Sequence, residues 1–347
     1  MEKTSKEFLL NLLRTHSPSG DEVIIQRVWL DYVKEFAKVD TDTVGNAYGF
    51  INPNAKFKVM LAGHCDEISL IINKVDERGY IWFTNCGWIN PKMLPGMKVD
   101  VIGYGNQIIK GIVNTTAQKD EQVTIENCFI DCGFKNDKKL KKLVRIGDYA
   151  VYQCDPEIIG DNRVICKALD NKTGAFIVAE VLRKLSKKKI NVGVYSVSTT
   201  GEETNSRGAF MAASKLKPNM AIACDVTFDN EVPGGHGENA VCAIGKGPAI
   251  SFGSPINRKI NDLLEKAAKK KKIPYQLELT PDRTHTDADK IMYTGDGVPV
   301  ALLSLPIKYM HSPVEMADLD DIDKTIDTIV TMIENLKGNE DLRPIKP

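Results

Sequence analysis

The sequence predicts an α/β protein whose main domain is interrupted by a small all-β insertion. Three observations predict it. After about residue 163, short apolar runs alternate with stretches of helical periodicity. Between about 69 and 161 only β-type runs occur, SLIINKV, YIWF, KVDVIGY, QIIKGIVN and YAVYQ, punctuated by Gly, Pro and Asn. A further apolar run, FKVMLAG, precedes that segment and is cut off by it from the rest of the α/β pattern. The expected division is therefore 1–68 plus 162–347 for the main domain and 69–161 for the insertion.

Each element has a local reason. Thr4-x-x-Glu7 and Ser19-x-x-Glu22 have capping-box spacing and predict two helices, with SPSG between them as the break. FKVMLAG is a buried strand ending at His64. The brief basic stretch NDKKLKKL is the one helical candidate inside the insertion. VICKALD is a strand, and TGAFIVAEVLRKLSKKK a helix with Val178, Val181, Leu182 and Leu185 on one face. VGVYSVS is a strand, SRGAFMAASKL a helix and NMAIACD a strand. NRKINDLLEKAAKKKK is a helix whose lysines gather at its C-terminal end, where the dipole favours cations. YQLELT and VPVALLSL are strands, and the acidic DLDDID opens a last amphipathic helix.

Composition removes several classes of function. With 347 residues the chain can bury a large core without staples. Lys plus Arg is 46 and Asp plus Glu is 46, so a globally basic nucleic-acid binder is excluded. No run approaches the roughly 18 apolar residues of a membrane span. The N-terminal stretch alternates charged and apolar residues and lacks the apolar region of a signal peptide, so a cytoplasmic location is expected. The eight cysteines form no C-x-x-C pair, which argues for reduced, mostly buried thiols rather than a zinc ribbon.

The polar residues that follow the predicted strands carry the chemistry. His64 and Asp66 follow FKVMLAG, Asp170 ends VICKALD, and Glu202 and Glu203 follow VGVYSVS. Asp225 ends NMAIACD, and His311 follows VPVALLSL after a short loop. In open α/β sheets the carboxyl edge of the strands is where ligands bind. Each residue alone has a structural reading: a core histidine for His64, a helix cap for Asp170, an exposed acidic pair for Glu202 and Glu203, turn residues for Asp225 and His311. Five clusters on one edge are hard to explain as packing. Two imidazoles and several carboxylates without thiolates suit zinc or cobalt. The inventory also suits two ions, which need a shared carboxylate, terminal ligands for each and a carboxylate left over as general base.

GHCDEISLII, ALDNKTGAF, GEETNSRGA, CDVT and YMHSPVEMADLDDI, in that order, resemble the signature blocks of metallopeptidase family 42. That family contains the tetrahedral (TET) aminopeptidases and glutamyl aminopeptidases, some labelled endoglucanase-like. The resemblance runs from PSG near residue 18 to about 325. It implies a zinc-exopeptidase-like α/β/α core with an inserted PDZ-like β domain. It implies that His64 and Asp225 hold one divalent ion, Glu203 and His311 a second, and that Asp170 bridges both. Glu202 is implied as general base and Asp66 as the residue that orients His64. Peptide substrates and a homo-oligomer, from dimer up to tetrahedral dodecamer, are implied as well. Cys65 and Cys224 neighbour ligands, but strand alternation aims them into the core.

The chain departs from the family's pattern at named positions. Gly201 stands where Gln is frequent, Asn205 where Gly is frequent, and His285 where Gly is usual. Thr204 and Ser206 are also more polar than usual. His236 lies in a glycine-rich stretch, FDNEVPGGHGENA, expected to be a solvated loop. Two rivals stand beside the aminopeptidase reading. A glycoside hydrolase would use Glu202 and Asp225 as paired carboxylates. A non-catalytic module would bind peptides by strand addition to the insertion.

Overall fold

The computed structural model describes residues 1–233 and 242–345; His236 lies outside the described residues. The chain opens with helices α1 (Lys3–Arg14) and α2 (Val23–Val33), then strands β1 (Lys38–Thr41), β2 (Ala47–Ile51) and β3 (Lys58–His64). Neither expected capping box forms. Glu2 and Glu22 are the N-cap residues, and neither makes a side-chain cap bond. The Ser19 hydroxyl instead lies 3.3 Å from the Thr204 hydroxyl. Strands β1 and β2 have no counterpart in the sequence reading, because β1 is exposed at all of its positions and so shows no alternation.

The insertion follows as β4 (Ser69–Val75), β5 (Tyr80–Cys86), β6 (Lys98–Ile102), β7 (Ile108–Thr115), β8 (Cys128–Asp131), the short helix α3 (Asp137–Leu140) and β9 (Tyr149–Tyr152). These six strands close into a barrel in the order β4-β5-β8-β7-β6-β9. Strand β7 buries every second residue, as a barrel wall must, and Leu70, Ile72, Val99, Val101, Val113 and Ile130 fill the interior. Every strand of the closed barrel therefore has a neighbour on both sides, although β5 pairs with β8 only over Tyr80–Trp82 and β4 with β9 only at Leu70 and Ile71.

The chain then returns to the main sheet with β10 (Glu157–Ile159) and β11 (Arg163–Cys166). Strand β10 falls within the 69–161 segment yet pairs with β11 in the main sheet. VICKALD is only half a strand: β11 ends at Cys166, and Asp170 lies at the kinked start of helix α4 (Leu169–Leu185), where its own backbone is extended (φ −78°, ψ 106°). Next come β12 (Gly193–Thr199), α5 (Glu202–Asn205), α6 (Arg207–Leu216), β13 (Met220–Phe228) and β14 (Ala249–Gly253). Helix α7 (Arg258–Lys271), β15 (Gln276–Thr280), α8 (Ala288–Ile291), β16 (Val300–Lys308), β17 (Glu315–Asp318) and α9 (Leu319–Glu334) complete the chain.

The main sheet has eleven strands, with β1-β2-β12-β3-β13-β16-β17-β11-β10 as its path. Its centre, β12-β3-β13-β16, is parallel and buried almost throughout. That burial is why these strands read as continuous apolar runs. Alternate residues of β3 serve different cores: Val59 and Leu61 join the larger one with α1, α2, α4, α7 and α9, while Met60 and Ala62 join a smaller one with Ala209, Ala212 and Ile291. Among the described residues, no helix is long and apolar enough to cross a membrane.

One close approach sets the site's dimensions. A Cβ at Gly174 of α4 would lie 2.4 Å from the Cys224 carbonyl oxygen, and one at Gly63 of β3 would lie 2.4 Å from the Gly174 carbonyl carbon. Two glycines thus let α4 touch β3 and β13 backbone to backbone. The start of α4, with Asp170, is drawn in beside His64 and Asp225 by that contact.

Candidate active site

The four parallel strands at the sheet's centre deliver their polar residues to one edge. His64 is the last residue of β3, and Glu202 and Glu203 open the turn of helix after β12. Asp225 lies within β13 rather than past its end, since that strand runs on to Phe228. His311 sits in the turn between β16 and β17. Asp170 reaches the same place from α4.

The distances define two ligand groups with one shared member. His64 Nε2 lies 3.2 Å from Asp170 Oδ1 and 3.9 Å from Asp225 Oδ1. His311 Nε2 lies 3.1 Å from Asp170 Oδ2 and 3.4 Å from Glu203 Oε2. His64, Asp170 and Asp225 form one group that could hold an ion, and Asp170, Glu203 and His311 the other. Glu202 belongs to neither group; its Oε2 lies 3.7 Å from His64 Nε2 and its Oε1 accepts from the Ser206 hydroxyl at 3.4 Å.

Buried supports hold these groups. Asp66 is fully buried, with its main-chain carbonyl oxygen 3.2 Å and its Oδ1 3.4 Å from His64 Nδ1. It also accepts the backbone N–H groups of Glu202 and Glu203, at 3.1 and 3.2 Å. Glu315, which the sequence reading did not single out, accepts the backbone N–H of Asp170 at 3.0 Å and that of His311 at 2.8 Å. Its only signal was its place inside the HSPVEM block. Glu67 pairs with two buried cations, Lys167 and, at 2.9 Å, Lys172, and so ties the end of β3 to the segment that carries Asp170. The Glu22 carboxylate accepts the N–H of Gly201 at 3.1 Å, so the residue read as half of a capping box supports the Glu202 turn instead.

The electrostatics call for cations. Burial pushes the carboxyls of Glu203 and Asp225 well above their usual range, and the nearby Asp170 carboxylate adds to the push. Burial likewise lifts Glu202, against the pull of His64 and with the push of Asp225. Burial would also lift Asp170, but hydrogen bonds from His311 and His64 outweigh it and hold that carboxyl low. Carboxylates crowded in a buried site are short of positive charge. Two imidazoles and three carboxylates converging from two sides, one carboxylate shared, fit a pair of borderline divalent ions.

These residues line a cavity of about 910 Å³. Thr284, His285, Thr286 and Tyr293 are part of its wall, and Trp88 of the insertion, largely exposed, lines it too. His285 adopts φ 56°, a left-handed conformation that glycine takes without a Cβ penalty. Asp287 is buried behind this wall and accepts from the Thr199 hydroxyl. Cys65 and Cys224 are buried in the larger core, not in the cavity.

A family model described as M42 glutamyl aminopeptidase matches residues 45–328. The lysyl aminopeptidase of Pyrococcus furiosus is 30% identical, over 95% of this chain and 97% of its own length. Among solved structures, a TET aminopeptidase from the marine sediment archaeon Thaumarchaeota archaeon SCGC AB-539-E09 superposes with a TM-score of 0.92 at 26% identity, covering 96% of each chain. The TET1 peptidase of Pyrococcus horikoshii, which can assemble into a tetrahedron or a large octahedral shell, superposes with a TM-score of 0.84 at 25% identity, covering 96% of this chain and 100% of its own.

Proposed function

Because this chain belongs to the M42 glutamyl aminopeptidase family and is a peptide hydrolase, we propose that it releases N-terminal residues from peptides with two divalent ions and Glu202 as general base. The observation that carries this reading is the shared carboxylate: Asp170 faces His64 with one oxygen and His311 with the other.

His64 and Asp225 would hold one ion and Glu203 and His311 the second, with Asp170 a ligand common to both groups. Zinc or cobalt suits this donor set. Such ions supply Lewis-acid polarisation of the scissile carbonyl and a lowered pKa for water. Glu202 takes a proton from the attacking water and delivers it to the leaving amine nitrogen. Its position supports that role, since its carboxylate lies beside His64 but outside both ligand groups and so stays available to accept and return a proton. Asp66 keeps His64 in one orientation and fixes the turn from which Glu202 and Glu203 diverge.

The main domain, 1–68 plus 162–347 extended to take in β10, is the zinc-exopeptidase-like α/β/α unit in this reading, and the barrel is the counterpart of the family's PDZ-like insertion. A homo-oligomer, from dimer to tetrahedral dodecamer, follows by analogy with the assembly of the P. horikoshii relative. A paired-carboxylate glycosidase would leave both histidines without work.

The test is release of the N-terminal residue from a mixed peptide panel, free and N-acetylated, with zinc or cobalt and again after chelation. Metal-dependent release from free amines alone is the expected result. Release from acetylated peptides, or none under any metal condition, overturns the proposal. Light scattering on the same sample reads the oligomeric state.

A further inference from the structure

The insertion sends one side chain to the cavity, Trp88, and no contact among the described residues covers it. Trp88 follows β5 in the turn Gly87–Asn90 and is 65% exposed, although Cys86 and Ile89 on either side of it are buried. The turn is tightly held. Gly87 has φ 84°, a Cβ there would lie 2.7 Å from Ile68 Cγ2, and its carbonyl accepts from the Asn85 side chain at 2.7 Å. The backbone that carries the indole is thus held at Gly87, and Ile89 beyond it is buried. The indole ring centroid lies 5.8 Å from that of His311, at 37° between planes.

We propose that Trp88 is a specificity-determining residue of the peptide site, and that its ring packs against an apolar or aromatic side chain on the second residue of the substrate. The inference rests on the aminopeptidase reading above. An enzyme that cuts one residue from a free amine must enclose that residue and let the remaining chain leave. Thr284, His285 and Thr286 of the main domain line the same cavity. Trp88 lines it from the insertion, exposed to solvent and beside a residue assigned to one ion, and this placement puts its face in the way of the departing chain. Trp offers a large, stiff, amphipathic surface there at little entropic cost. The insertion thereby contributes to recognition and not only to architecture.

The test compares substrates that share the best N-terminal residue X and differ in the second: X-Gly-amide and X-Phe-amide. In the wild-type enzyme X-Phe-amide is expected to have the lower KM, by about threefold to tenfold. Trp88→Ala should bring the kcat/KM ratio of the two substrates close to one, mainly through KM, and Trp88→Phe should restore most of the preference. Equal KM values in the wild type overturn the inference while leaving the aminopeptidase reading intact. So does a Trp88→Ala variant that keeps the preference, loses kcat equally on both substrates by loosening His311, or dissociates the assembly in light scattering. Absence of any wild-type hydrolysis overturns both readings together.

Discussion

Asp66 accepts the backbone N–H of Glu202 at 3.1 Å, while the side chain of Glu202 reaches toward the imidazole that Asp66 orients. One buried carboxylate therefore sets both the base and a ligand. In Asp66→Asn a single oxygen remains to accept, and the new amide group must face either an N–H or the histidine. Metal affinity and kcat are expected to fall by about 10- to 100-fold, with the far-UV spectrum unchanged. Ion titration alongside steady-state kinetics checks this. Wild-type values in both would remove Asp66 from the mechanism.

Glu202 stands outside both ligand groups. Glu202→Gln is expected to lower kcat by about 10²- to 10⁴-fold and to leave the metal content per chain unchanged. Metal analysis of the purified variant separates the two roles. Lost metal would make Glu202 a ligand instead.

Chelation should lower thermal stability as well as activity, because Glu203, Asp225 and Asp170 then face one another without cations. At free ion a hundredfold above the dissociation constant, binding stabilises by about 2.7 kcal/mol per site. Differential scanning with and without chelator is expected to show a drop of several degrees, recovered on adding zinc or cobalt. An unchanged melting temperature would argue that no ion sits there.

Gly174→Ala tests the backbone contact between α4 and β13. The added methyl meets a carbonyl oxygen of the sheet, which has little freedom to yield. Overpacking of this kind costs about 1–3 kcal/mol. The displacement of α4 should also carry Asp170 away from His64. Loss of activity larger than the loss of stability warrants is the expected pattern, read from urea unfolding beside kinetics.

Asp100 of β6 links the barrel to the N-terminal segment, with His16 at 2.9 Å and Lys110 at 2.8 Å. Burial pushes its carboxyl up, but these two partners outweigh burial and hold it below its usual value. A carboxyl depressed in the folded state contributes stability that is present above its unfolded pKa, about 3.9, and is lost as pH falls through the folded value. Wild-type stability should thus decline below about pH 4, and Asp100→Asn should flatten that decline. Equal pH slopes in the two proteins would assign the acid sensitivity elsewhere.

The seven residues proposed for the site were legible because each follows or ends an apolar run, and strand ends are marked by a change of texture. Glu315 gave no such mark. It lies in a four-residue strand, and its role is to receive two backbone N–H groups, which no side-chain pattern encodes. Asp170 was legible as a site residue but not as the opening of a helix, since VICKALD stays apolar past the point where β11 stops. Capping-box spacing misled for Ser19 and Glu22 because tertiary partners, Thr204 and Gly201, took up the groups that a local cap would have used. The all-β texture of the insertion was plain in the sequence. Its closure was not, because it depends on which distant strands pair.

That closure has a consequence for how the chain is put together. The first and last strands of the barrel, β4 and β9, are hydrogen-bonded neighbours, Leu70 opposite Ala150. The two crossings between the main domain and the barrel therefore lie side by side, like the two legs of a staple. To the catalytic sheet the whole barrel is topologically a hairpin tip, already closed by its own ladder. Its size adds no loop for the main domain to order, and a tip of that kind can be lengthened, recoloured or exchanged while the sheet beneath it keeps its register.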